Sequence, residues 1–119
     1  MKVLHLTLKK KWFDMILSGE KREEYREIKS YWIRRLLYMG FVDPERPFIF
    51  SDNEIPYDVL EFRNGYSPNS PSMIVEYKGV EVGNTNEGWS DDYKTEVFIL
   101  KLGSILSVKN LKSDSIYTN

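Results

Sequence analysis

The spacing of hydrophobic and polar residues changes along the first third of the chain, and each spacing predicts a different element. The segment "VLHLTL" at 3–8 places three leucines on one face, as in a strand with one buried side. The segment "KKKWFDMILSG" that follows has the spacing of an amphipathic helix, and Gly19 at its end is typical of a helix C-terminal cap. Residues 29–40 show a second helical pattern, which Gly40 closes.

After this point the pattern predicts mainly strands and loops. Three prolines between 41 and 57 indicate a loop with at most one short strand, at 47–50. The segment 72–83 reads either as one bent strand or as two short strands hinged at Lys78 and Gly79. Two further segments alternate and are predicted to be strands, at 58–65 and at 95–106. The first of them ends at an Asn-Gly turn signal.

These elements together predict one α+β domain over residues 1–119. We expect a curled, mostly antiparallel sheet or small barrel, with the two helices in the N-terminal third. A barrel would also remove the exposed edges of the sheet. The polar tail after about residue 109 is expected to fray, because chain termini without buried contacts are usually poorly ordered.

The charged segment "EKREEYRE" at 20–27 fits either a helix or a strand. A continued helix would place three like-charge pairs at i,i+4, each costing about 0.2–0.5 kcal/mol. We therefore favour a turn at 19–21 followed by a strand. In that strand Glu24 and Arg26 share one face, and Tyr25 lies on the other.

Composition limits the kinds of ligand. The net charge is −1, so a nucleic-acid contact should be a local patch or a single-nucleotide pocket rather than a long basic track. Aromatic residues make up 14% of the chain, and eight of them are tyrosines, which serve both cores and binding surfaces.

We expect no metal and no cofactor. The chain has no cysteine and one histidine, which excludes thiolate and multi-histidine sites, and it has no EF-hand loop, although a carboxylate-only magnesium or calcium site stays open. We also expect a cytoplasmic protein without a membrane partner, because the N-terminus is not a signal peptide and no apolar run reaches about 18 residues.

The spacing Gly19-x-Lys21-x-x-Glu24-x-Arg26, placed directly after an amphipathic helix, resembles the ASCH domain family, which has a PUA-like fold. The resemblance extends over nearly the whole chain through "FRNGY", "VEYKGVEVG" and "VFILKLG". It implies a small β-barrel flanked by helices. A cleft beside the barrel would be lined by Lys21, Glu24 and Arg26.

The resemblance implies two functions. Members of the family are mostly suspected of binding RNA or modified nucleotides, and this is the function we expect. Some members are small amidohydrolases that remove the acyl group of an N4-acylated cytidine, with a lysine and a threonine nucleophile in the motif. Here Lys21 matches the lysine, but Glu24 occupies the position of the threonine. A hydrolase would therefore need Lys21 and Glu24 as acid–base residues, with Glu24 acting on water.

The residues themselves are compatible with a binding cleft, and a solvated edge strand is the alternative. Two cations around a carboxylate can hold an anion, and a planar guanidinium suits a phosphate or a base edge. Further candidate ligand-binding residues cluster at the end of a predicted strand, where a tight turn is the simpler explanation: Arg63, Asn64 and Tyr66. The lysines at 9–11 indicate either a phosphate patch or a helix that begins nearer Trp12.

Overall fold

The computed structural model describes residues 1–37 and 57–111, and within them the chain forms five strands and two helices. In chain order the elements are β1 (Val3–Thr7), α1 (Lys10–Leu17), β2 (Glu23–Arg26), α2 (Ser30–Leu36), β3 (Val59–Arg63), β4 (Ser72–Gly83) and β5 (Val97–Lys109). The predicted α+β class is confirmed. The predictions of a strand at 47–50 and of a helix end at Gly40 lie outside the described residues, as does most of the tail.

The strands form one mixed sheet in the order β1-β3-β4-β5-β2. β3 pairs with β4, and β2 pairs with β5, both in antiparallel orientation. In the β2–β5 pair, Glu23 lies opposite Lys101 and Arg26 lies opposite Phe98. β1 and β3 are parallel, which the prediction of a mostly antiparallel sheet did not include. A parallel pair needs a long crossover connection, and here both helices and β2 lie between the two strands in sequence.

The contacts divide the described residues into two compact units. The first unit comprises residues 1–22, 57–77 and 103–111, and the second comprises 23–37 and 78–102. β4 and β5 each contribute residues to both units. β4 is one continuous strand, so the one-strand alternative for 72–83 is confirmed. A single domain over the whole chain stays a prediction.

The core of the first unit contains β1, α1, β3 and the first half of β4. The three leucines of the 3–8 segment are all buried, as the alternation predicted. α1 begins at Lys10, about half a turn before Trp12, and has no acidic residue in its first turn, so the helix starts among the lysines at 9–11. Lys10 forms an ion pair with Asp14 one turn later, which offsets the unfavourable position of a lysine at a helix N-terminus.

α1 ends at a glycine, and this ending determines where β2 begins. Gly19 has φ +86° and donates its backbone N–H to the Ile16 carbonyl at 3.0 Å. Only glycine adopts this left-handed conformation without a steric cost. The Lys21 N–H returns to the Met15 carbonyl at 3.0 Å, and the chain is extended from Glu23. The choice of turn and strand over a continued helix for residues 20–27 is confirmed.

The second unit is built on β2, α2 and the first half of β5. Residues 97–100 of β5 are all buried, so both faces of the strand are covered there, although the sequence alternation indicated two different faces. α2 buries Leu36, and Leu37 at its C-cap is buried too, but Trp32 and Ile33 are only half-buried. An apolar residue on a helical stripe is usually core, but Trp32 is not fully buried here.

In the described part of the chain, neither helix combines the length and the hydropathy that crossing a bilayer requires.

Candidate functional site

The candidate site in the second unit starts from β2, whose alternation separates its four side chains into two sets. Tyr25 and Glu23 contact each other on one side of the strand, and Arg26 and Glu24 contact each other on the other. This is the arrangement that a period of two predicts. Each side of the strand therefore carries one hydrogen-bonded pair of side chains.

Glu24 and Arg26 form a largely buried ion pair. The Arg26 Nη1 lies 2.8 Å from the Glu24 Oε2, and the two side chains are 17% and 6% exposed. The same Nη1 donates to the Tyr25 carbonyl oxygen at 2.6 Å. A buried charge needs a partner with good geometry, so each side chain fixes the position of the other.

The Arg26 guanidinium also lies over an aromatic ring. Its central carbon is 5.2 Å from the centroid of the Trp32 ring on α2. This distance is within the range of a cation–π contact, which is stronger where water is partly excluded. Arg26 is therefore held by a carboxylate and by an indole ring, while its remaining N–H groups can meet a ligand.

A cavity of about 280 Å³ adjoins this arginine. Its lining combines polar, cationic and aromatic side chains: Tyr25, Arg26, Glu27, Lys29, Trp32, Ser90, Lys94 and Val97. A wider cleft of about 600 Å³ shares the lining residues Glu27, Lys94 and Val97 with it. Small-molecule sites typically measure about 300–1,000 Å³, so the wider cleft lies within this range and the cavity beside Arg26 lies just below it.

The two lysines of the cavity are only loosely paired. Glu27 lies 3.9 Å from the Lys29 ammonium and 4.0 Å from the Lys94 ammonium, and all three side chains are about half exposed. Such long, exposed ion pairs contribute little free energy. An anionic ligand can therefore recruit both lysines at small cost.

On the opposite side of β2, a hydrogen-bond network joins the strand to β5 and to the loop that follows β4. The Tyr25 hydroxyl donates to Glu23 at 2.9 Å and accepts the Asn86 backbone N–H at 3.0 Å. Burial, above all, raises the pKa of Tyr25 to about 12. Lys101 donates to Glu23 at 2.7 Å, and this hydrogen bond raises the pKa of the ammonium. The network positions the loop that carries Ser90 and Lys94.

Lys21 belongs to the first unit, whereas Glu24 and Arg26 belong to the second. Its side chain is 2% exposed, and its ammonium lies 4.5 Å from the centroid of the Trp12 ring. The ammonium of Lys11 lies 4.6 Å from the centroid of the same ring. The structure thus brings Glu24 and Arg26 together, and a joint site with Lys21 stays a prediction.

The three candidates at the end of β3 also belong to the first unit. The Asn64 side chain donates to the Leu8 carbonyl at 2.9 Å, so it links the end of β3 to the residue after β1. Arg63 lies 3.4 Å from Glu61, and Tyr66 is 89% exposed. Arg63 and Tyr66 can still reach a ligand, and their role stays a prediction.

Sequence reasoning did not assign Trp32, Lys29 and Lys94 to a site. Trp32 fits a helical apolar stripe, which usually indicates core, and Lys94 lies in a polar loop without a motif. The sequence feature that could have indicated Trp32 and Lys29 as site residues is the segment after β2, where Trp32 lies among basic residues. No pattern in the sequence places Lys94 near them.

Comparison with known proteins adds no relative. No protein-family model matches the chain, and neither a curated protein nor a solved structure matches it at a significant level. Among residues 1–37 and 57–111 no three histidine, aspartate or glutamate side chains are grouped so that they could hold a metal ion.

Proposed function

We propose that the second unit binds RNA or a modified nucleotide in the cavity beside Arg26. The observation that carries the proposal is the position of this guanidinium. It lines a cavity of about 280 Å³ together with Trp32, Lys29 and Lys94, and it is held in place by Glu24. A guanidinium and two ammonium groups suit a phosphate, and an indole ring suits a base.

The same proposal includes the fold family. The helix-ending Gly19, the extended segment after it and the paired Glu24 and Arg26 support the resemblance to ASCH domains. We propose on this basis that the chain adopts a PUA-like barrel. Lys21 and the candidates at the end of β3 stay candidate ligand-binding residues of the first unit. A cytoplasmic location is part of this proposal, because RNA and nucleotides are abundant there.

The binding test uses fluorescence anisotropy of a labelled single-stranded RNA, with nucleosides and nucleotides as competitors. Lys94→Gln is the main variant, because its side chain is 45% exposed and its loss should leave the fold intact. Removing one phosphate contact should lower the slope of log affinity against log salt concentration by about 0.7. Lys109→Gln, at the exposed end of β5, is the matched control.

Arg26→Gln and Trp32→Leu test the centre of the site. Each should weaken binding at least tenfold, and circular dichroism should first establish that the variant is folded. Lys21→Ala tests the contribution of the first unit in the same assay. Unchanged binding in Lys94→Gln and Trp32→Leu would exclude this cavity as the site, and no binding by the wild type would exclude the function.

The buried carboxylate of Glu24 supports one alternative, a small amidohydrolase acting on an N4-acylated cytidine or a related nucleoside. Glu24 is 5% exposed, and a buried carboxylate can serve as a general base toward water. Its ion pair with Arg26 favours a positioning role instead. Release of the acyl group from acylated cytidines by the wild type, lost in Glu24→Gln, would establish turnover. No release across a panel of such nucleosides would remove this alternative.

A further inference from the structure

A series of cations and rings runs from Arg26 of β2, in the cavity, onto helix α2. Arg26 lies over the Trp32 ring at 5.2 Å, and the Trp32 ring meets the Tyr31 ring edge-on at 4.8 Å. The Arg35 guanidinium then lies over the Tyr31 ring at 4.4 Å. Two guanidinium groups and two rings thus form one connected row, called here the α2 row, from the cavity wall to the surface of the helix.

The outer end of the α2 row is open to solvent and basic. Tyr31 is 53% exposed, and both Arg34 and Arg35 are exposed. The segment from Lys29 to Leu37 contains no acidic residue. A helix surface with an exposed ring and several cations, and without a carboxylate of its own, is complementary in charge to a phosphate backbone.

The simplest alternative is local helix stabilisation. Arg35 and Tyr31 are four residues apart, and such pairs contribute only a few tenths of a kcal/mol to a helix, about 0.2–0.5. That contribution accounts for the Arg35–Tyr31 contact alone. It does not account for the continuation of the row through Trp32 to the arginine of the cavity.

We infer that the α2 row is a second contact surface for the same ligand, and that the ligand is a single RNA strand of several nucleotides rather than a free nucleoside. This inference rests on the proposed function of the cavity. One nucleotide occupies the cavity, and the neighbouring base stacks on Tyr31 or on the Arg35 guanidinium. The phosphates between them face Lys29 and Arg34.

Two features favour a single strand over other partners. Base faces are accessible only in unpaired RNA, and aromatic rings and guanidinium planes are the groups that stack on them. The rings of Tyr31 and Trp32 are inclined at 88°, so successive bases stack on different planes, which a duplex does not allow.

The experiment measures two affinities for each protein. One is for a fluorescein-labelled, mixed-sequence RNA of about 12 nucleotides, within the usual range of single-strand site sizes. The other is for a mixture of the four nucleoside monophosphates, used as competitors. The variants are Tyr31→Ala and Arg34→Gln, with Tyr31→Phe as the matched control that keeps the ring.

Tyr31→Ala should weaken RNA binding about fivefold to a hundredfold, as the loss of one base stack does, and leave monophosphate binding unchanged. Tyr31→Phe should bind RNA like the wild type. Arg34→Gln removes a cation that faces the phosphates, so it should reduce the salt slope of RNA binding by about 0.7, whereas loss of a purely structural contact would leave the slope unchanged.

Two results would overturn the inference in distinguishable ways. If wild type and Tyr31→Ala bind RNA equally well while monophosphates still compete, the cavity is a nucleotide site and the α2 row is free for a protein partner. If the wild type binds neither RNA nor monophosphates, the proposed function fails and the inference fails with it.

Discussion

Replacing Arg26 by methionine tests how far the ion pair of β2 holds the second unit together. Methionine keeps much of the length of the side chain but removes its charge. The Glu24 carboxylate, 6% exposed, would then lose the cation that lies 2.8 Å away. At an effective dielectric constant of about 20, the attraction at that distance is about 6 kcal/mol before the cost of desolvation.

The net effect is smaller than this gross attraction, because burying both charges costs free energy as well. Removing one partner of a buried pair typically destabilises a protein by about 3–5 kcal/mol. That is a large fraction of the about 5–15 kcal/mol that stabilises a domain. Arg26→Met should therefore lower the urea midpoint strongly, as followed by tryptophan fluorescence and circular dichroism.

The double variant separates the pair from the packing of the arginine. Glu24→Gln together with Arg26→Met should be more stable than the sum of the single losses predicts, with a coupling of about 1–3 kcal/mol. Lys29→Met is the control, because its ammonium is 58% exposed and 3.9 Å from Glu27, and we expect a loss below about 1 kcal/mol. A loss of less than about 1 kcal/mol in Arg26→Met, or strictly additive single losses, would refute this reasoning.

Three further predictions follow from other contacts. Gly19→Ala should destabilise the protein by about 1–2 kcal/mol in urea unfolding, because φ is +86° there, and a wild-type midpoint would contradict the cap assignment. The pKa of Tyr25 is raised from 10.0 to about 12, so its neutral form stabilises the fold below pH 10, and this stabilisation is lost as the pH rises to about 12. The pH dependence of the unfolding free energy in this range should be smaller in Tyr25→Phe, and the same pH dependence in both proteins would refute this prediction. Glu27→Gln should strengthen RNA binding about two- to fivefold in anisotropy, because Lys29 and Lys94 lose a competing carboxylate, and weaker binding would argue against their role.

Local patterns were enough to predict most elements of the fold. The leucine alternation located β1, Gly19 located the end of α1, and the like-charge spacing of residues 20–27 indicated β2. Each of these features depends on residues close in sequence. The pairing of Glu24 with Arg26 also followed from a strand period of two.

The parts that sequence reasoning missed depend on contacts between distant segments. The parallel pairing of β1 with β3 joins residues 56 positions apart, from Val3 with Val59 onward. Lys94 reaches the cavity through a loop held by Asn86 and Tyr25, and no local pattern records that contact. Trp32 lies on an apolar stripe, so its position on the helix indicated a core residue. In the structure the Arg26 guanidinium lies over its ring, and this contact comes from a different element, β2.

The most direct test of the central claim is an NMR titration of the labelled protein with the single-stranded RNA, because it locates the ligand residue by residue. We predict that the indole N–H of Trp32 and the backbone N–H groups of Arg26 and Lys94 shift together and saturate at one concentration. Shifts confined to residues outside the cavity and α2, or an unchanged spectrum at the highest RNA concentration, would contradict the claim that this cavity binds RNA.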